Sequence, residues 1–262
     1  MSAIQKRLGN MEIRFDESEV IVVDLGSGFI KAGYSGEDVP RVVIPTVVGT
    51  KDSHQFGEDS GAGGDSKPKH SVSRKIGHEA FLARSDPAYE LHYPIERGVV
   101  RGEIQDWDHL TNLLDHVFTN ELGIDPRSTT ILMTDSLKSR KEHKQQLAQM
   151  MFDTFRFKAF ALQNTAVLSL FSSGTTTGLV AESGEGVTYT VPVFEGYALP
   201  HAMQTIEVAG QDVTKKLLEE LKEGNSPVRD EHYHYVRDIM EKMCHVPMHF
   251  NEELERRDDE LT

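Results

Sequence analysis

Two short stretches set a carboxylate ahead of a glycine turn: Asp24-Leu25-Gly26-Ser27-Gly28 and Glu182-Ser183-Gly184-Glu185-Gly186. Each sits between two runs that read as β-strands, within residues 20–36 and 178–196. Glycine tolerates positive φ and lets backbone approach a ligand closely. Successive N–H groups in such a turn can converge on one anion. A lone Gly-x-Gly is usually just a turn, but here the acid, the glycine pair and the flanking strands recur 158 residues later. That repetition predicts an internal duplication at the scale of a domain. Two such turns facing across a cleft would clamp a polyphosphate. Lys31, three residues past Gly28, would add positive charge to the same phosphates. Asp24 and Glu182 would hold a hydrated Mg2+, which prefers carboxylates and keeps several of its waters.

The elements that must position these turns are readable from spacing. RVVIPTVV, residues 41–48, reads as a strand interrupted by Pro45, hence an edge or a bend. Residues 51–75 hold four glycines and many charges with little to bury, and read as a long exposed loop. Trp107, Leu110, Leu114, Val117 and Phe118 fall at helical spacing behind Asp106, a candidate capping residue. TTILMT and AFALQ read as strands. Between them Ser139 and Glu142 suggest a capping box for a helix carrying Leu147, Met150, Met151 and Phe155. Asn164 caps a further helix that ends at Gly174. Two more amphipathic helices follow, one with Val213, Leu217, Leu218 and Leu221, the other with Val236, Ile239, Met240 and Met243. Strand and helix alternation of this kind predicts an α/β fold with a mixed sheet.

Bulk properties narrow the function classes. A net charge of −14 disfavours direct nucleic-acid or anionic-membrane binding, while still allowing one nucleotide held by local N–H groups. The single cysteine, Cys244, offers no internal disulfide, points to a reducing compartment, and sits on an apolar stripe where packing is the default. No run is long and apolar enough to predict a membrane span. His232 and His234 form H-x-H without a companion ligand cluster and read as a solvated helix start.

Several stretches, in order, resemble the actin family: VDLGSGFIKAGYSGEDVPRVVIPTVVG, YPIERGVV, DWDHL, NTAVLSLFSSGTTTGLVAESGEGVTYTVPVFEGYALPHA and VRDIMEKMC. They cover roughly residues 20–49 and 91–247. The chain resembles a divergent, C-terminally shortened actin-related protein of the actin, Hsp70 and sugar-kinase superfamily. That resemblance implies an α/β, actin-like, duplicated mixed-sheet fold whose second half is incomplete. It implies ATP or ADP with Mg2+ between the halves. Phosphate-binding roles then fall on Gly26, Ser27, Gly28, Phe29, Lys31, Gly184, Glu185, Gly186 and Val187, and metal roles on Asp24 and Glu182. Arg237 and Glu241 fall on an adenine-pocket helix, where the family's lysine is Met240. The implied organisation is an extension over 1–19, a first half over 20–174 containing the 51–75 loop, a partial second half over 175–250, and an acidic tail over 251–262.

Departures from the family cluster at the chemistry. The family's water-positioning glutamine is Thr165 here, with Gln163 two residues earlier. Read on a helix, that shift rotates a side chain by about 200° and takes Gln163 out of play. The histidine after the second turn is Tyr189, and that of the YPIEHG motif is Arg97. Hydrolysis needs an oriented water, so no catalytic residue is assigned. The resemblance implies a cytoskeletal or scaffolding protein with ATP as a structural ligand. Alternatives are a slow Mg-dependent ATPase and a nuclear actin-related subunit of a chromatin complex. Expected partners are actin or other actin-related or cytoskeletal proteins, in the cytoplasm or, alternatively, the nucleus, without direct nucleic-acid or membrane contact.

Overall fold

The computed structural model describes residues 20–54, 70–136, 138–224, 226–250 and 252. The extension over 1–19, the centre of the loop over 55–69 and nearly all of the tail over 251–262 lie outside them. The chain divides into two compact units, Met1–Ala209 and Gly210–Thr262, a boundary inside the stretch assigned to the second half.

In the first unit, β1 (Val20–Leu25), β2 (Phe29–Tyr34) and β3 (Val42–Pro45) form an antiparallel meander. Pro45 closes β3, which is the edge strand, where a missing N–H costs the ladder nothing. β4 (Val48–His54) pairs antiparallel with β5 (His70–Ile76), and α1 (His78–Leu82) follows. The flanks of the expected 51–75 loop are therefore strands. Their polarity misleads because the pairs are themselves polar, Thr50 opposite Arg74 and Lys51 opposite Ser73.

Three short strands come next: β6 (Glu90–His92), β7 (Ile95–Glu96) and β8 (Val99–Val100). α2 (Ile104–His116) runs on through a π turn at Val117–Glu121. β9 (Thr130–Asp135) precedes α3 (Lys141–Gln149), and β10 (Ala159–Asn164) precedes α4 (Thr165–Ser172). β9 and β10 join β1 in parallel, completing a five-stranded mixed sheet of order β10-β9-β1-β2-β3. Ile21, Val23, Ile30, Ile131 and Met133 share one core with Leu110, Leu113, Leu114, Phe118, Leu147 and Met151. Phe118 is fully buried and meets Phe155 and Phe157 edge-to-face. Trp107 is buried in the same core.

Two expected helix starts are displaced. α2 begins at Ile104 behind Glu103, so Asp106 lies in the first turn, where it complements the helix dipole instead of capping. α3 begins at Lys141 behind Arg140 with no side-chain cap, so Ser139 and Glu142 form no capping box. Asn164 does cap α4, accepting from the Ala166 N–H at 3.0 Å. At the far end Gly174, φ 79°, stands where a left-handed residue is needed. There the Thr175 N–H reaches the Leu170 carbonyl and the Gly174 N–H that of Phe171, the paired bonds of a Schellman ending.

α4 leads into a second sheet: β11 (Gly178–Ser183), β12 (Thr188–Phe194), β13 (Tyr197–Ala198) and β14 (Gln204–Ile206), with β12 central. Its buried cluster is small: Ala166 and Val167 from α4 against Val191 and Val193. Leu179, Phe194, Tyr197 and Ile206 remain exposed.

In the second unit α5 (Gly210–Glu223) packs on α6 (Tyr233–Met243). Thr214, Leu218 and Val236 are buried, while Val213, Ile239 and Met243 at the stripe edges stay exposed. Cys244 follows α6 with extended backbone and is exposed, so it is not a core residue. Among the described residues no helix is long and apolar enough to cross a membrane.

Candidate functional site

The two acid–glycine stretches fold into the same hairpin. In the first, Leu25 pairs with Ile30 and Asp24 with Lys31; in the second, Ser183 pairs with Thr188 and Glu182 with Tyr189. Each four-residue turn is closed by the same bond. Gly26 N–H donates to the Phe29 carbonyl at 3.2 Å, and Gly184 N–H to that of Val187 at 3.0 Å. The duplication is thus present in the backbone as well as in residue types.

The turns meet tip to tip, with no open gap between the tips. A Cβ placed on Gly28 would lie 3.0 Å from the Cβ and Cγ of Glu185. One placed on Gly186 would lie 2.6 Å from Ser27 Oγ. Glycine at these positions is required by the approach of one turn to the other. The Ser27 hydroxyl also accepts the Gly98 N–H at 2.9 Å, tying the first turn to the segment after β7. Arg97, at φ 51°, donates from its guanidinium to the Gly186 carbonyl at 3.2 Å and the Glu207 carbonyl at 3.0 Å. Arg97 therefore holds the second turn by its backbone, a role its sequence position alone did not disclose.

The two acids live in different surroundings. Asp24 Oδ1 accepts from the Thr134 hydroxyl at 2.8 Å, and Thr134 in turn accepts the Leu25 N–H at 3.0 Å. Asp24 Oδ2 lies 3.6 Å from Lys31 Nζ, in a half-exposed pair. Glu182 is met by neutral hydroxyls instead. Its Oε1 accepts from Ser169 at 2.9 Å and its Oε2 from the Tyr189 phenol. The phenol oxygen is also 2.5 Å from Thr165 Oγ1. Thr165 and Ser169 are one turn apart on α4 and face the same way. Burial, first, and then the Glu182 carboxylate push the Tyr189 phenol well above its ordinary range, and the Asp24 charge adds to that push.

Thr165 and Tyr189, the residues standing where a water-positioning glutamine and a histidine were expected, are therefore bonded to each other. Gln163 is a strand residue, because Asn164 starts the helix after it, so helical rotation is not what removes it. Its Oε1 instead accepts the Asn164 N–H at 2.9 Å. Thr134 and Ser169 were not singled out beforehand. Their one advance signal was position, a hydroxyl at the C-terminal end of a parallel strand and another four residues beyond Thr165. Phe29 and Val187 supply the carbonyls that close the turns. Arg237 and Glu241, in the second unit, pair with each other along α6 at 2.9 Å.

The glycine tips bring backbone close from two sides, as a phosphate chain needs, but they touch, so a phosphate chain would lie beside the tips and not between them. The acids suit a divalent ion less well. All four carboxylate oxygens already face a protein donor: Thr134, Lys31, Ser169 or Tyr189. Among the described residues, no three His, Cys, Asp or Glu side chains converge as a metal cluster. The mixed five-stranded sheet and the repeated hairpin agree with the α/β, actin-like fold that the sequence resemblance implied, whereas the cleft expected between the two turns is closed at their tips. A family model described as Actin matches residues 15–258, and the chain belongs to the actin family.

Proposed function

We propose that this chain is a cytoskeletal or scaffolding member of its family that holds ATP or ADP at the paired glycine turns as a structural ligand, with little or no hydrolysis. The family generally binds ATP or ADP with a divalent metal. The observation that carries the reading is the contact of two hairpins of identical register at Ser27 and Gly186. Gly26, Ser27 and Gly28 on one side and Gly184, Glu185 and Gly186 on the other shape the site. Lys31 supplies its positive charge.

Low turnover follows from the residues beside the second turn. Orienting an attacking water calls for a polar group aimed into the site. The hydroxyl of Thr165 is committed to Tyr189. Partners of this reading are actin or other actin-related or cytoskeletal proteins, in the cytoplasm.

The test is a titration of purified protein with ATP and with ADP, run beside a phosphate-release assay. Gly186→Val, which drives a side chain into Ser27, is the control. Binding that the variant loses, with phosphate release no faster than buffer, is the expected result. Release that the variant abolishes would instead establish a slow ATPase. Absence of binding in a folded wild-type protein would overturn the nucleotide reading.

A further inference from the structure

Glu182, Tyr189, Thr165 and Ser169 form a closed arrangement of their own. Glu182 and Tyr189 are cross-strand partners, Thr165 and Ser169 are helix neighbours, and hydroxyls join the two pairs. Each carboxylate oxygen of Glu182 receives one of those hydroxyls. Val180 lies on the same strand face as Glu182 and packs into the cluster beneath α4, which fixes that face inward. A bound cation or its water shell would have to compete with a phenol already seated on the carboxylate. Displacing the phenol would also strand a half-buried hydroxyl, at a cost.

At the first turn the acid already has a cation, since Lys31 stands beside Asp24. A lysine ammonium is a compact charge that serves phosphate without geometric demands. We propose that Tyr189, held by Thr165, withholds Glu182 from a divalent ion, so that this chain takes a nucleoside phosphate without magnesium. The proposal rests on the nucleotide reading above and assigns Tyr189 a gating role at that site. The phenol does not touch the reacting phosphates; it acts through Glu182 and is a positioning residue.

The experiment is an ADP titration by calorimetry in saturating MgCl2 and again in EDTA. It uses wild type, Tyr189→Phe and Thr165→Val, with thermal melts as the check on folding. Wild-type affinity should differ by less than about twofold between the two conditions. Tyr189→Phe keeps the ring and removes the hydroxyl, so it should bind about tenfold more tightly in magnesium than in EDTA, the scale of one hydrogen bond to a charged group. Thr165→Val, which frees the phenol to turn away, should move in the same direction by less. It carries the test if Tyr189→Phe does not fold. A wild type that needs magnesium overturns the gate while leaving the nucleotide reading intact. Magnesium-independent binding in both variants removes the role from Tyr189. No ADP binding in either condition by a protein that melts cooperatively takes down the nucleotide reading and the gate with it.

Discussion

The two glycine hairpins are copies in backbone and strangers in chemistry. Both close a four-residue turn with the same bond and set the acid opposite the same register position. Opposite the first acid stands a lysine, and opposite the second a tyrosine. The first hairpin grows from a sheet backed by a core that includes Phe118, Leu110, Leu114 and Met151. The second rests on four buried residues, Ala166, Val167, Val191 and Val193. Turn geometry follows from where the glycines stand. The electrostatics of each acid follow from what the neighbouring strand and helix happen to bring.

The widest difference between the two hairpins should appear in the clusters that support them. Phe118→Ala removes a fully buried ring that contacts Phe155 and Phe157, and should cost about 3–5 kcal/mol. Val193→Ala, in the smaller cluster, should cost about 2 kcal/mol. Urea denaturation at unchanged slope reads both. Equal losses would mean that the two hairpins are equally well supported.

The turns themselves should differ next. A Cβ on Gly26 would lie 2.6 Å from the Phe29 carbonyl oxygen, a backbone atom that cannot yield cheaply. The corresponding Cβ on Gly184 would lie 3.7 Å from the Val187 oxygen, an ordinary contact. Gly26→Ala should therefore destabilise by about 2 kcal/mol, while Gly184→Ala should stay within about 0.5 kcal/mol. A similar fall in denaturation midpoint for both would break the distinction.

These contrasts also mark what was legible in the sequence. The hairpins, the capping Asn164, the Gly174 exit and the edge role of Pro45 are local features, set by residues within a few positions of each other, and all were readable. Helix starts at Asp106 and Ser139 were misplaced because polar residues crowd both approaches and spacing alone does not rank them. The strands flanking residues 55–69 were missed because their cross-strand pairs are polar and show no buried period. At the site, the acids and glycines announced themselves by repetition. The donors to the acids did not. Thr134 reaches Asp24 across 110 positions, and Arg97 reaches the Gly186 carbonyl across 89. Such partners become neighbours only when parallel strands and the second hairpin are assembled, so no window of sequence contains them. The meeting of Thr165 with Tyr189 is of the same kind. Two departures from the family that looked independent turn out to be one hydrogen bond.

Smaller effects should separate the hairpins by the type of force each uses. Ser27→Ala deletes the acceptor of the Gly98 N–H, and should cost about 1 kcal/mol at any ionic strength. Tyr189→Phe should likewise cost about 1 kcal/mol, because it loses a hydroxyl bonded to Glu182 and Thr165. It too should be indifferent to salt, since the deleted group is neutral. Lys31→Met should behave differently. The Lys31 pair with Asp24 spans 3.6 Å with half the lysine side chain exposed, so its stability cost should be no more than about 0.5 kcal/mol at low ionic strength. That cost should vanish as salt approaches 1 M, where the screening length falls to about 3 Å. Denaturation of the two variants at low and high salt decides the matter. If Lys31→Met is costly and salt-insensitive, the first hairpin is held by packing of the lysine stem. If Tyr189→Phe acquires a salt dependence, the second acid leans on a charge beyond its hydroxyl partners.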